Sequence, residues 1–264
     1  MIRFELKDID KVMLFGGEPT YTAHWFALTD GIYWLNFGQT NIYEYSDEFL
    51  KTYDDSVKFV DYYIVRLLED ITELFPEIGE PIPIKFHKLV DTPEKLSDFL
   101  TSVGQWYLKY EDEENSDDFF DKACEMRDWI SRRTLSALHL QNYPYVSFFR
   151  VGDNIQIIWW KNNSTTEEGI PVWQAKNGSM TFTYTEFIEK IEKFGMNFFS
   201  AMDLQIQKAI DKDWGENVEI DKPRLLVEQQ ERKAEFEQQL EHLKHSPNKT
   251  DWNKIENQLA ELYA

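Results

Sequence analysis

Residues 145–160 read Tyr145-Val-Ser-Phe-Phe-Arg-Val-Gly-Asp-Asn-Ile-Gln-Ile-Ile-Trp-Trp160. Two apolar runs rich in β-branched and aromatic residues, Tyr145 to Val151 and Asn154 to Trp160, surround Gly152-Asp153. A two-residue turn with glycine between such runs predicts an antiparallel hairpin, because the tight hairpin turns need positive φ. Pro144 marks the entry to this sheet. The same reasoning predicts a hairpin around Asp30-Gly31, between Thr22 to Thr29 and Ile32 to Phe37, with Asn41 to Tyr45 as a third strand. It predicts another around Lys176-Asn177-Gly178, between Val172 to Ala175 and Ser179 to Tyr184.

Between these strand groups the apolar period lengthens from two to 3.6. Val57, Val60, Ile64, Leu68, Ile71 and Phe75 fall three and four apart, which predicts a helix ending before Pro76. A linker with Pro76, Pro81 and Pro83 follows. Thr92-Pro93-Glu94 is a helix start: a capping hydroxyl, a proline where no amide hydrogen is needed, and an acid at the positive helix end. That helix is expected to reach about Tyr110, and another to begin near Asp117 and bury Phe119, Ala123, Met126 and Ile130. After the second strand group, Thr185 is expected to cap a long helix with the stripe Phe187, Ile191, Phe194, Phe198 and Met202. Two tail helices are expected, Pro223 to Lys244 and Asp251 to Leu262, the last capped by Thr250. Strands, then helices, then strands, then helices is the order of an α+β fold, with antiparallel hairpins packed against several long helices. The expected organisation is one domain over residues 1–264. The alternative is two, with residues 1–142 as an N-terminal hairpin plus helices and residues 143–264 as hairpins plus a helical tail.

The chain has 264 residues and a formal charge of −20, with 16% aromatic residues. That aromatic load excludes a disordered chain. The acidity argues against nucleic-acid binding, which needs basic surface to meet phosphates. A single cysteine, Cys124, excludes an intramolecular disulfide framework and a thiolate zinc cluster. No apolar window reaches the roughly 18 residues of a spanning helix, and the N-terminus lacks a signal-peptide core, so a cytoplasmic protein without membrane contact is expected.

The charge is unevenly placed. Residues 44–121 hold 21 acids and 7 bases, whereas residues 122–215 hold 11 of each. The densest stretch contains Glu111, Asp112, Glu113, Glu114, Asp117 and Asp118 between two predicted helices. Like charges this close must stay in water, meet a cation or meet a basic partner. One reading is a solvated loop whose last acids favour the following helix N-terminus. The functional reading is a surface that steers a basic protein. A calcium loop would need a tight turn with alternate ligands and usually a glycine, and none is present.

The search for catalytic motifs is negative: no nucleophile elbow, phosphate loop, dinucleotide fingerprint or zinc-protease helix is present. The expectation therefore leans away from an enzyme, with no metal and no cofactor. His242 and His245 share a helix face but supply too few ligands for a metal. Cys124 has Lys122 and Arg127 nearby and is read as packing. Should the aromatic strands form a pocket, the residues to look at first are His24, Trp34, Arg150 and Asp153, although Gly152-Asp153 is explained by a turn.

Several segments together resemble a family of bacterial proteins of unassigned function. They are His24-Trp-Phe-Ala-Leu-Thr-Asp-Gly31 with Tyr33-Trp34, Tyr145-Val-Ser-Phe-Phe-Arg150 with Gly152 to Ile157, and Gly169-Ile-Pro-Val-Trp173. The tail resembles the family's at Asp221, Leu225-Leu226, Glu231-Arg232 and Thr250-Asp251-Trp252, so the resemblance covers nearly the full length. This chain departs from the family pattern at Phe148-Phe149, where Phe-Trp is more usual. The resemblance implies no catalytic residues. Small acidic α+β proteins of this style are similar to immunity proteins, which neutralise toxins. The expected function is thus an immunity- or antitoxin-like inhibitor that occludes a basic protein partner such as a toxin. A small-ligand or enzymatic domain with an aromatic pocket is the second reading, and an interaction subunit of a bacterial defence assembly the third. The oligomeric state stays open.

Overall fold

The computed structural model describes residues 1–53, 57–135, 137, 139–140, 143–160 and 164–262. Strand β1 (Ile2–Leu6) pairs antiparallel with β4 (Asp30–Phe37), Ile2 opposite Leu35 and Leu6 opposite Gly31. Between them lie β2 (Phe15–Gly17), β3 (Thr20–Thr22) and a 3-10 turn, Ala27–Thr29. β4 also pairs with β5 (Thr40–Ile42) and β6 (Val60–Tyr63), and α1 (Asp47–Thr52) sits between those two strands. The hairpin expected at Asp30-Gly31 is therefore corrected: both residues lie inside β4. Gly31 is required by a close approach. A Cβ there would stand 2.3 Å from the Glu5 carbonyl oxygen on β1. Asp30 is 4% exposed, meets Lys7 Nζ at 3.0 Å and accepts from the Met13 N–H at 2.9 Å. Glycine suits both a turn and a tight backbone crossing, so sequence alone does not separate the two uses.

The helix expected from Val57 begins at Ile64, because the free edge of β4 takes residues 60–63 as strand β6. Helix α2 (Ile64–Thr72) buries Ile64, Leu67, Leu68 and Ile71. That helix ends before Pro76, as expected, and Pro76 itself sits in the first turn of a second, short helix, α3 (Phe75–Gly79), where no amide hydrogen is needed. Next come α4 (Ile84–Val90), α5 (Pro93–Leu108) and α6 (Ser116–Ser131). The Thr92 hydroxyl accepts from the Lys95 N–H at 3.2 Å, the cap expected from sequence.

Strand β7 (Thr134–Leu135) leads to β8 (Tyr145–Val151) and β9 (Asn154–Trp160), the hairpin read from residues 145–160. Gly152 has φ +58° at its turn. The third hairpin is corrected: β10 (Gly178–Thr183) pairs with β9, giving the order β10-β9-β8-β7, while Val172 to Ala175 form no strand. Gly178 again serves a contact, since a Cβ there would lie 2.8 Å from the Trp159 ring. Helix α7 (Tyr184–Asp211) follows and is capped by Thr183, two residues before the expected Thr185. Thr183 and Glu186 cap each other reciprocally, a capping box. β11 (Val218–Glu219) lies parallel to β3, and α8 (Lys222–Lys244) and α9 (Trp252–Leu262) close the chain. Asp251, not Thr250, accepts from the Lys254 N–H at 3.0 Å and caps α9.

Nine α-helices and sheets that are antiparallel apart from the short β11–β3 pair, among the described residues, make the fold α+β. The β8–β9 hairpin is buried on both faces. Val146, Phe148, Ile155, Ile157 and Trp159 face a core shared with β4, α2, α7 and α8. Phe149, Ile158 and Trp160 face a second core built by α4, α5, α6 and α9. The period-two alternation of strand side chains assigns each residue to its side. The first core draws residues from Ile2 to Leu243. Residue 142, the alternative domain boundary, lies outside the described residues. No helix among the described residues is long and apolar enough to cross a membrane.

Candidate functional site: the acidic end of a helical hairpin

Helices α5 and α6 run antiparallel. Trp106 meets Phe119 near the connecting turn at 5.8 Å between ring centroids, and Phe99 meets Trp129 farther along at 6.1 Å. Residues 109–115 join them through successive tight turns. The Tyr110 N–H donates to Tyr107 O at 2.8 Å, Glu113 N–H to Tyr110 O at 3.1 Å, and Ser116 N–H to Glu113 O at 3.0 Å. The Tyr110 and Phe119 rings stack at 4.0 Å with 5° between their planes, clasping the two helix ends. On this frame Glu111, Asp112, Glu113, Glu114, Asp117 and Asp118 are all exposed. Among the described residues none of the six takes part in an ion pair. Asp117 and Asp118 occupy the first turn of α6, where the helix dipole favours negative charge. Two large apolar side chains flank the acids: Leu108 is 56% exposed and Phe120 46%.

The four residues expected to mark a pocket are separated. His24 Nδ1 accepts from the Ala27 N–H at 3.2 Å, and its ring lies 4.5 Å from that of Phe15. Burial lowers its pKa, against a pull upward from the Glu228 carboxylate. Trp34 stacks on Phe59 at 4.1 Å with 10° between the planes. Arg150 donates to the Gly79 carbonyl at 2.6 Å and lies 3.9 Å over the Tyr184 ring. Asp153 is exposed in the β8–β9 turn, and its carbonyl accepts from the Tyr184 N–H at 2.8 Å. Only Arg150 and Asp153 come together, at one hairpin end. None of the four lines any of the five clefts of about 400–630 Å³ that lie elsewhere on the described residues.

The structure assembles a polar chain that no sequence pattern marked. The Tyr33 hydroxyl and His139 Nε2 are 2.5 Å apart, and His139 Nδ1 lies 3.4 Å from an Asp70 carboxylate oxygen. Tyr62 stacks on the His139 ring at 4.6 Å. Burial raises the Tyr33 pKa well above its ordinary value, so the phenol keeps its proton and donates to the imidazole. The arrangement ties β4 to α2 and to the segment after β7. The three residues are far apart in sequence, and His139 sits in a stretch without periodicity, so no local signal was available. Tyr184 is likewise held neutral, its pKa pushed up to about 12 by burial, and its hydroxyl donates to the Leu243 carbonyl. Cys124 is half-buried, with its Sγ accepting from Arg127 at 3.4 Å. No cluster of three or more His, Cys, Asp or Glu side chains able to hold a metal ion occurs among the described residues.

The model of a family of unknown function, DUF5984, matches residues 1–258 and so spans both sheets, both cores and the acidic turn. The chain belongs to that family. This DUF5984 member carries the segments on which the resemblance to an uncharacterised family rests. No curated protein and no solved structure matches the chain.

Proposed function

We propose that this DUF5984 member is a protein-binding protein of the immunity or antitoxin type, cytoplasmic, which occludes a basic partner with the end of the α5–α6 hairpin. One observation carries the reading: six exposed carboxylates, without ion pairs among the described residues, flank the exposed Leu108 and Phe120 at a turn fixed by stacked rings. An apolar centre with a charged rim is the usual build of a protein interface. A concentrated negative field steers a basic partner and raises its association rate.

The experiment pairs the protein with the product of a gene neighbouring its own, by affinity capture and by protection from toxicity. Wild type is expected to bind and protect. The variant with Glu111, Asp112, Glu113 and Glu114 all changed to Lys is expected to bind at least about tenfold more weakly and to lose most of its salt dependence. Equal affinity in the variant would remove this surface from the interface. Absence of capture and of protection would remove the inhibitor reading.

A further inference from the structure

Strand β10 is the outer strand of the order β10-β9-β8-β7, so one side of its backbone meets β9 and the other is open among the described residues. Backbone groups of an antiparallel strand point alternately to its two sides. The Tyr184 N–H donates to Asp153 O at 2.8 Å, which sets the phase. Phe182, Met180 and Gly178 turn their amides and carbonyls toward β9, and Thr181 and Ser179 turn theirs to the open side. The Thr183 N–H, of the same phase as these two, is taken by the Glu186 carboxylate at 3.0 Å. Ser179 and Thr181 are exposed.

An open edge is a template for another strand, and soluble proteins guard it with charge, proline, a bulge or a very short strand. The other edges among the described residues are guarded. β1 carries the exposed Arg3 and Glu5, β6 carries the exposed Asp61, and β2, β5, β7 and β11 have two or three residues each. β10 has six residues, reading Gly-Ser-Met-Thr-Phe-Thr, with neither charge nor proline. It pairs with β9 residue for residue, so no bulge turns it away.

We infer that β10 pairs with β10 of a second copy of this chain, antiparallel about a two-fold axis at Met180, and joins two four-stranded sheets into one. Ser179 of each copy then faces Thr181 of the other, and the two exchange both backbone hydrogen bonds on either side of Met180. Serine against threonine is a favourable cross-strand pair. The same register sets Lys176 opposite Tyr184 of the second copy, at the helix start that holds the exposed Glu186. Lys176 is exposed and makes no ion pair among the described residues. Hydrogen-bond phase, strand sequence and flanking charge thus all suit a second copy. β10 shares no residue with the acidic turn, and its test is independent of the partner-binding reading.

Sedimentation and light scattering of the full chain read its mass from about 100 μM down to about 1 μM, in about 0.3 M salt to screen the repulsion between copies of charge −20. Wild type is expected to approach twice 31.5 kDa at the top of this range, with the Ser179 and Thr181 amides exchanging more slowly there than at the bottom. Thr181→Pro removes an outward N–H at an edge position where proline leaves the β9 ladder intact. It is expected to raise the dissociation constant of the dimer at least about tenfold, and Thr181→Lys, which puts a charge on the edge, to do the same. Lys176→Glu is expected to raise it about threefold. Circular dichroism checks that the variants are folded. A monomeric wild type across the range, or a dimer that neither Thr181 variant weakens, would overturn the pairing. Edge amides protected only by a different bound protein would give the edge to that protein's strand and overturn it as well. An unchanged constant in Lys176→Glu would overturn the register.

Discussion

The Arg133 guanidinium has no exposed surface and lies 2.7 Å from the Glu80 carboxylate. Arg133 also donates to the Trp129 carbonyl at 2.9 Å, and Glu80 accepts from the Thr250 N–H at 2.7 Å and its hydroxyl at 2.5 Å. One buried ion pair thus joins the ends of α3 and α6 to the segment leading into α9. Burial lowers the Arg133 pKa, opposed by Glu77 and Glu80, and the guanidinium stays charged. Removing one partner of such a pair strands a charge away from water. Glu80→Ala is expected to cost about 3–5 kcal/mol of stability. Urea unfolding followed by circular dichroism reads this directly, and a loss within experimental error would show that Glu77, 3.7 Å away, neutralises Arg133 alone.

Gly31 meets a different constraint. A methyl group there would collide with backbone, not with a flexible side chain. Gly31→Ala is expected to push β1 away from β4 and destabilise the protein by about 1–3 kcal/mol. Had Gly31 served a turn, the loss would arise from φ strain instead. It has no positive φ, so a stable Gly31→Ala protein with β1 amides still protected from hydrogen exchange would refute the close approach.

His24 gives a pH dependence with a defined sign. Burial lowers its pKa, and its neutral ring accepts the Ala27 N–H. The unfolded chain takes up the proton first, at about pH 6.5. Stability is full above that value and falls as pH drops through it toward the lower folded pKa. His24→Asn keeps an acceptor for the Ala27 N–H and removes the titration. Unfolding midpoints at pH 7.5 and pH 5 are expected to differ less in this variant than in wild type, and an identical difference would exclude His24 as the source.

On the proposed function, the acidic turn serves binding and not the fold. Its six carboxylates are exposed and take part in no ion pair among the described residues. Changing Glu111, Asp112, Glu113 and Glu114 to Lys is expected to leave unfolding free energy within roughly 0.5 kcal/mol of wild type, or to raise it by relieving repulsion. A large loss of stability would show that these carboxylates hold the turn, and lost partner binding would then report unfolding.

What the sequence determined is what local chemistry decides. The β8–β9 hairpin follows from two apolar runs about Gly152-Asp153, and the α5 start from Thr92-Pro93. The α7 stripe from Phe187 to Met202 is buried as its spacing requires. In each case residues within a few positions of one another supply both signal and partner. Tertiary structure decided the rest. Val60 and Ile64 share a helical spacing, yet the open edge of β4 draws residues 60–63 into a strand and leaves the helix to start at Ile64. Glycines 31 and 178 read as turns and serve instead as gaps, one for the backbone of β1 and one for the Trp159 ring. The exposure of the acidic residues followed from their mutual repulsion. Their setting on a clasped helical hairpin and the assembly of Tyr33, His139 and Asp70 required the chain to bring distant residues together, for which no local pattern exists.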